Sequence, residues 1–125
     1  MPWLSNEVLD GGLTILDTLG TRLDICKTAE PTTYELATTD GANSLGYKTG
    51  LAIPAPSEGD PNGREVIVPA ITDGVVTETG TAAYYAITNG TDTLYATGAL
   101  SAGQAVTDGN TFTLTSFTIR IPDPA

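Results

Sequence analysis

The chain has 125 residues, of which 40% are hydrophobic and 16% charged, with 15 acids against 5 bases and a net charge of −10. A length of this order suits one domain that buries roughly two-thirds of its unfolded surface, so neither metal nor disulfide is needed to hold it. Its five cations, Arg22, Lys27, Lys48, Arg64 and Arg120, are scattered singly, whereas binding phosphates takes clustered Lys and Arg; nucleic acid and anionic membrane are therefore not expected partners.

With so little charge, the polar surface falls to Thr, Ser, Gly and Asn, and the 22 threonines suit half-exposed strands. The expected organisation is a single domain over 1–125, with an N-terminal arm and helix over 1–20 and a β-sandwich over 21–125. The opening MPWLSNEVLDGG has neither the basic start nor the apolar core of a signal peptide. No apolar run approaches the ~20 residues that span a bilayer.

Leu9, Leu13 and Leu16 are spaced i, i+4, i+7 with Asp10 and Asp17 off the stripe, which predicts a helix. Ser5 or Asn6 would cap its start and Gly20 its end, while Gly11 and Gly12 weaken its middle. From residue 21 the period becomes two. TRLDICK sets Leu23 and Ile25 against Asp24 and Cys26, a short strand. TTYELATT reads as a further short piece or a helical turn, and GYKTGLAI as a strand ending at Pro54. PAPSEGDPNG (54–63) holds three prolines and two glycines and predicts an exposed loop. REVIVPAIT is apolar on both faces, but Pro69 cannot donate to a ladder and marks an edge strand or a bulge.

Asp73-Gly74 predicts a turn into VVTE. TGTAAYYAIT and TLYATGAL then flank Asn89-Gly90-Thr91-Asp92, a hairpin with a loop longer than two residues. Ala83, Tyr85 and Ile87 share one face, and Tyr84, Ala86 and Thr88 the other; beyond the loop, Leu94 and Ala96 alternate with Tyr95 and Thr97. In NTFTLTSFTIRI, Phe112 and Leu114 have one parity while Phe117, Ile119 and Ile121 have the other. Either a β-bulge near Thr115 or Ser116 restores one buried face, or the strand crosses there from one sheet to another. About eight short strands, turn signals every eight to twelve residues and one helix indicate an antiparallel β-sandwich or jelly roll.

Reactive constellations are scarce. The chain has no histidine, the usual base for a serine, cysteine or threonine nucleophile, and neither Lys27 nor Lys48 sits in a Ser–Lys motif. Cys26 stands alone in a strand pattern, where it reads as a small buried hydrophobe, with no partner for a disulfide or a zinc site. GDPNGRE opens like a calcium loop, but Arg64 stands where an oxygen ligand is wanted and no glutamate closes it. No catalytic, cofactor-binding or metal-binding residue is assigned, and no enzyme is expected. Trp3, the only tryptophan, is a candidate interface anchor.

The segments TRLDICKTAEPTTYELAT, GDPNGREVIVPAITDG, TGTAAYYAITNGTDTLYATGALS and DGNTFTLTSFTIRIPDPA together resemble small structural proteins of tailed bacteriophages. The resemblance runs from about residue 9 onward and lies in turns and strands, so it implies a role class and no site. Within that group the chain is most similar to capsid decoration, or cement, proteins. The resemblance implies a homotrimer on the capsid exterior at three-fold or quasi-three-fold positions, synthesis in the host cytoplasm, and the major capsid protein as partner. Expected contacts are Trp3 and Leu4 of the arm, and Pro56, Glu58, Asp60 and Asn62 of the 54–63 loop. A tail module (tip, collar or fibre) and a carbohydrate-binding sandwich using Tyr34, Tyr47, Tyr84, Tyr85 or Tyr95 are the alternatives.

Overall fold

The computed structural model describes residues 6–27, 30–39, 43–59 and 63–121. Helix α1 (Asn6–Leu19) precedes strand β1 (Arg22–Cys26), the short helix α2 (Tyr34–Thr38) and strands β2 (Ser44–Thr49), β3 (Ser57–Glu58), β4 (Arg64–Val68), β5 (Ile71–Val76), β6 (Gly80–Thr88), β7 (Leu94–Val106), β8 (Thr111–Leu114) and β9 (Phe117–Ile121). All pairings are antiparallel. They form a six-stranded sheet in the order β7-β6-β1-β2-β5-β8 and a three-stranded sheet in the order β3-β4-β9. The expected mainly β, two-sheet architecture with a short N-terminal helix is the one observed.

One core lies between the layers. Leu13 and Leu16 of α1, Leu23 and Ile25 of β1, Val66 and Val68 of β4, Ile87 of β6 and Phe112 of β8 belong to one buried cluster. The predicted helical stripe thus packs into the strand core, and the side chain of Leu9 lies outside the described residues. Gly20 ends α1 by donating its N–H to Leu16 O at 3.0 Å. Its φ is not positive; glycine is needed because a Cβ would stand 2.7 Å from Leu16 O and 3.0 Å from Ile87 Cγ2. Helix and sheet approach too closely there for any side chain.

The parity reversal in 111–121 is a sheet crossing. Leu114 pairs with Ile71 in the large sheet, and Phe117 pairs with Val68 in the small one. Between them lie two adjacent two-residue corners, Pro69-Ala70 on one chain segment and Thr115-Ser116 on the other. Because ladder bonds are interrupted at a corner anyway, Pro69 sits where its missing N–H costs nothing. Strand β4 is therefore central in its sheet, not an edge, and Ile67 on its outer face is 43% exposed.

Four other expectations are corrected. Strand β2 stops at Thr49, where Gly50 takes a φ of +66°, and does not run on to Pro54. Part of the 54–63 loop is a strand, β3, paired with β4 through Ser57↔Glu65 and Glu58↔Arg64. Asp73-Gly74 makes no turn: β5 continues through it, with a register shift against β8 between Ile71 and Gly74, and Gly74 lies beneath the Phe112 ring, where a Cβ would be 2.2 Å from Cε1. Leu94 and Ala96 do not share a face, because the register shifts between the pairs Ile87↔Ala96 and Thr88↔Leu94.

The large sheet curls strongly. Laid flat, six strands would hold its edges β7 and β8 about 24 Å apart. Residues 107–110 join Val106 to Thr111, a reach of about 18 Å at full stretch. That link is also folded, with Gly109 N–H on Val76 O at 3.1 Å and Asn110 N–H on Thr107 O at 3.0 Å. A flat sheet is therefore impossible, and the two edges are drawn toward each other. Strand order in a curled sheet thus brings together residues that a sequence reading places on opposite margins.

Candidate functional site

Between those edges lies a cleft of about 670 Å³, lined on the β7 side by Ala99, Leu100, Gly103 and Gln104 and on the β8–β9 side by every residue from Thr113 to Thr118, with Tyr85 at its floor. The volume is in the range of small-ligand sites. Two local irregularities open it. One is the corner at Thr115-Ser116. The other is in β7: Ala82 pairs with Gln104 and Tyr84 with Ala99, so Ala83 alone on β6 faces residues 100–103 on β7. That wide bulge bends the edge strand.

Aromatic packing sets the floor. Tyr85 lies across Gly98, its directly opposite partner, where a Cβ would come within 2.6 Å of the ring. Its other side meets Phe117, with ring centroids 4.5 Å apart and planes tilted by 47°, a favourable arrangement for aromatic pairs. Burial, with the nearby Glu30 carboxylate adding to it, pushes the Tyr85 phenol above its ordinary pKa. The phenol therefore stays neutral. Gln104 Oε1 is buried without a hydrogen-bond partner among the described residues, an acceptor that interiors rarely leave unmet. None of the lining residues is charged.

Opposite the core, β1 carries a polar cluster beneath α2. Asp24 is fully buried. It accepts hydrogen bonds from Arg22 Nε (2.7 Å), Arg22 Nη2 (3.0 Å) and Ser44 Oγ (2.7 Å). The guanidinium also lies over the Tyr47 ring at 4.4 Å, and its hydrogen bond to Asp24 raises the Arg22 pKa further. Such a bidentate, doubly supported pair is a fixed structural element. Cys26, also fully buried, donates its thiol to Ala37 O at 3.6 Å. Burial, reinforced by Asp24, pushes its pKa up to about 12, so the thiolate that nucleophilic chemistry needs is suppressed. Cys26 is thus the small buried residue expected of it, whereas Asp24 on the same face is fully buried as well.

Of the predicted contact residues, the two that the structure describes, Pro56 and Glu58, do not line the cleft. Trp3, Leu4, Asp60 and Asn62 lie outside the described residues. Pro56 and Glu58 belong to the β3–β4 hairpin, where Arg64 donates to Glu58 Oε1 at 3.1 Å and to Pro56 O at 3.2 Å; the Glu58 side chain is 78% exposed. Of the tyrosines singled out for sugar stacking, Tyr85 alone lines the cleft. Sequence reasoning located the Thr115-Ser116 corner but not the cleft, which needed the β7 bulge as well. The only sequence signal for that bulge is Ser101-Ala102-Gly103, a small-residue run ending in glycine inside a strand.

Among the described residues no three acidic or cysteine side chains are grouped to hold a metal ion, and no helix is long and apolar enough to cross a membrane. No family model matches the chain, and no curated protein or solved structure was found to match it.

Proposed function

We propose that this chain is a non-enzymatic structural protein of a tailed-phage virion, binding the outside of the capsid shell as a decoration protein. The carrying observation is where its chemistry has gone. Asp24 and Cys26, the buried carboxylate and thiol, are both committed to hydrogen bonds that hold β1 in place. The work is left to surfaces. The sequence resemblance supplies the role, and the net charge of −10 suits a position away from packaged DNA, whose phosphates would repel it. A protein that binds only the assembled shell stabilises it by mass action, with the major capsid protein as partner and a homotrimer matching three-fold sites.

The test adds purified protein to capsids assembled without it and images them by cryo-electron microscopy. New density at outer three-fold or quasi-three-fold positions, together with a higher temperature of DNA release, is the expected result. Density confined to the tail would replace this reading with the tail-module alternative, and failure to sediment with particles would end both.

A further inference from the structure

We propose that the cleft between β7 and β8 is a strand-acceptor site, which binds an uncharged extended segment of another polypeptide by adding it to the sheet edge. The argument begins with which residues line it. Side chains on a strand alternate between faces, so a site on a sheet face is lined by every second residue. This cleft is lined by six consecutive residues, 113–118, and by the adjacent pairs Ala99-Leu100 and Gly103-Gln104. The corner at 115–116 and the bulge at 100–103 bring both parities to the walls, and neither stretch has a ladder partner among the described residues.

Strands β7 and β8 end the order of the large sheet, so each keeps one side without a ladder partner among the described residues. Unpaired edge N–H and C=O groups are the template for an added strand, and natural edges are usually blunted by charge, proline or shortness. Here the lining carries no charged residue and no proline. The edges of the other sheet carry charge: β3 is only two residues long and holds Glu58, and β9, whose Phe117 and Thr118 reach the cleft, holds Arg120. Chemistry of the side chains sets the occupant. Tyr85, Leu100, Leu114 and Phe117, partly buried against the core, offer apolar contact to alternate side chains of an incoming strand. A charged segment would lose hydration here with nothing to pair it. The fitting occupant is thus a neutral strand with apolar residues at every second position, donated by a partner chain. This inference rests on the sheet geometry and not on the capsid reading, so either can fail alone.

The probe is an acetylated, amidated peptide of residues 111–116, TFTLTS, which is uncharged and alternates Phe and Leu with threonine. Titrated into 15N-labelled protein to about 1 mM, it is expected to give saturable shifts at residues 99–104 and 113–118 and slower amide exchange at 113–116. The variant TDTDTS should bind at least about tenfold more weakly. Gly103→Ile places a branched side chain in the opening, and its Cβ meets only ordinary contacts, 3.5 Å from Thr81 Cγ2 and 3.7 Å from Ala82 O. It should abolish the shifts. Should that variant not fold, Thr115→Pro removes an edge N–H from the corner, outside the β5–β8 ladder, and should do the same. No saturable shift, or shifts that survive the blocking variant, would overturn the proposal. So would a neutral oligosaccharide such as cellohexaose shifting these amides where the peptide does not, which would assign the cleft to glycans.

Discussion

The contact between Gly74 and Phe112 supports a quantitative prediction. They are directly opposed on β5 and β8, and the Phe112 ring, 1% exposed, occupies the space where a side chain at position 74 would stand. A Cβ there would lie 2.2 to 2.5 Å from three ring atoms, so Gly74→Ala cannot be absorbed by small adjustments. If the ring shifts within the core, the cost is that of overpacking, about 1–3 kcal/mol. If it is expelled, the cost approaches that of deleting the side chain, about 3–5 kcal/mol. The alanine returns about 0.4–1 kcal/mol through the unfolded chain. A net loss of about 2–3 kcal/mol is therefore expected from urea unfolding. In a Phe112→Leu background the ring is gone, so the same substitution should cost under about 1 kcal/mol, a coupling of about 1 kcal/mol or more. A Gly74→Ala protein within about 0.5 kcal/mol of the parent, or additive costs in the double variant, would refute the reasoning.

Three further outcomes follow from the interior and the hairpin. Asp24→Ala leaves the Arg22 guanidinium without its carboxylate, while Ser44 Oγ keeps Gly46 O as an acceptor at 3.3 Å; because the Arg22 side chain keeps 19% exposure and can turn outward, about 3 kcal/mol is expected, the low end for a broken buried pair, read from the urea midpoint. Cys26 should resist iodoacetamide until the protein is unfolded. Its thiol is protonated in the folded state to about pH 12 but ionises near 8.5 when unfolded. Stability due to it is therefore complete below pH 8.5 and declines above, by up to about 1.4 kcal/mol per pH unit. That slope should appear in the difference between parent and Cys26→Ala. Asn89 Oδ1 accepts from the N–H groups of Thr91, Asp92 and Thr93 at 2.9, 2.9 and 3.0 Å. Asn89→Ala is expected to cost about 1 kcal/mol, since water replaces part of the loss, and to speed amide exchange at residues 91–93.

What the sequence by itself determined is local and periodic. The 3.6-residue stripe put Leu13 and Leu16 inward, the two-residue period marked β1, β6 and β8–β9, and the parity change between Leu114 and Phe117 required an event at Thr115-Ser116. Asn89-Gly90 announced its hairpin because the Asn side chain can satisfy the turn unaided. Such features depend on neighbours a few residues away, and their chemistry is written in the chain. Tertiary structure decided what depends on distant partners. The choice between bulge and sheet crossing turned on Val68 and Ile71, some 45 positions upstream. Asp73-Gly74 reads as a turn and is held as a strand because Phe112 fills the space above the glycine. Asp24 alternates as a solvent-facing residue does, yet it is fully buried and paired with Arg22 and Ser44. The cleft was the least legible feature of all, because it exists only where a curled sheet brings its first and last strands face to face, and a period of two carries no information about curvature.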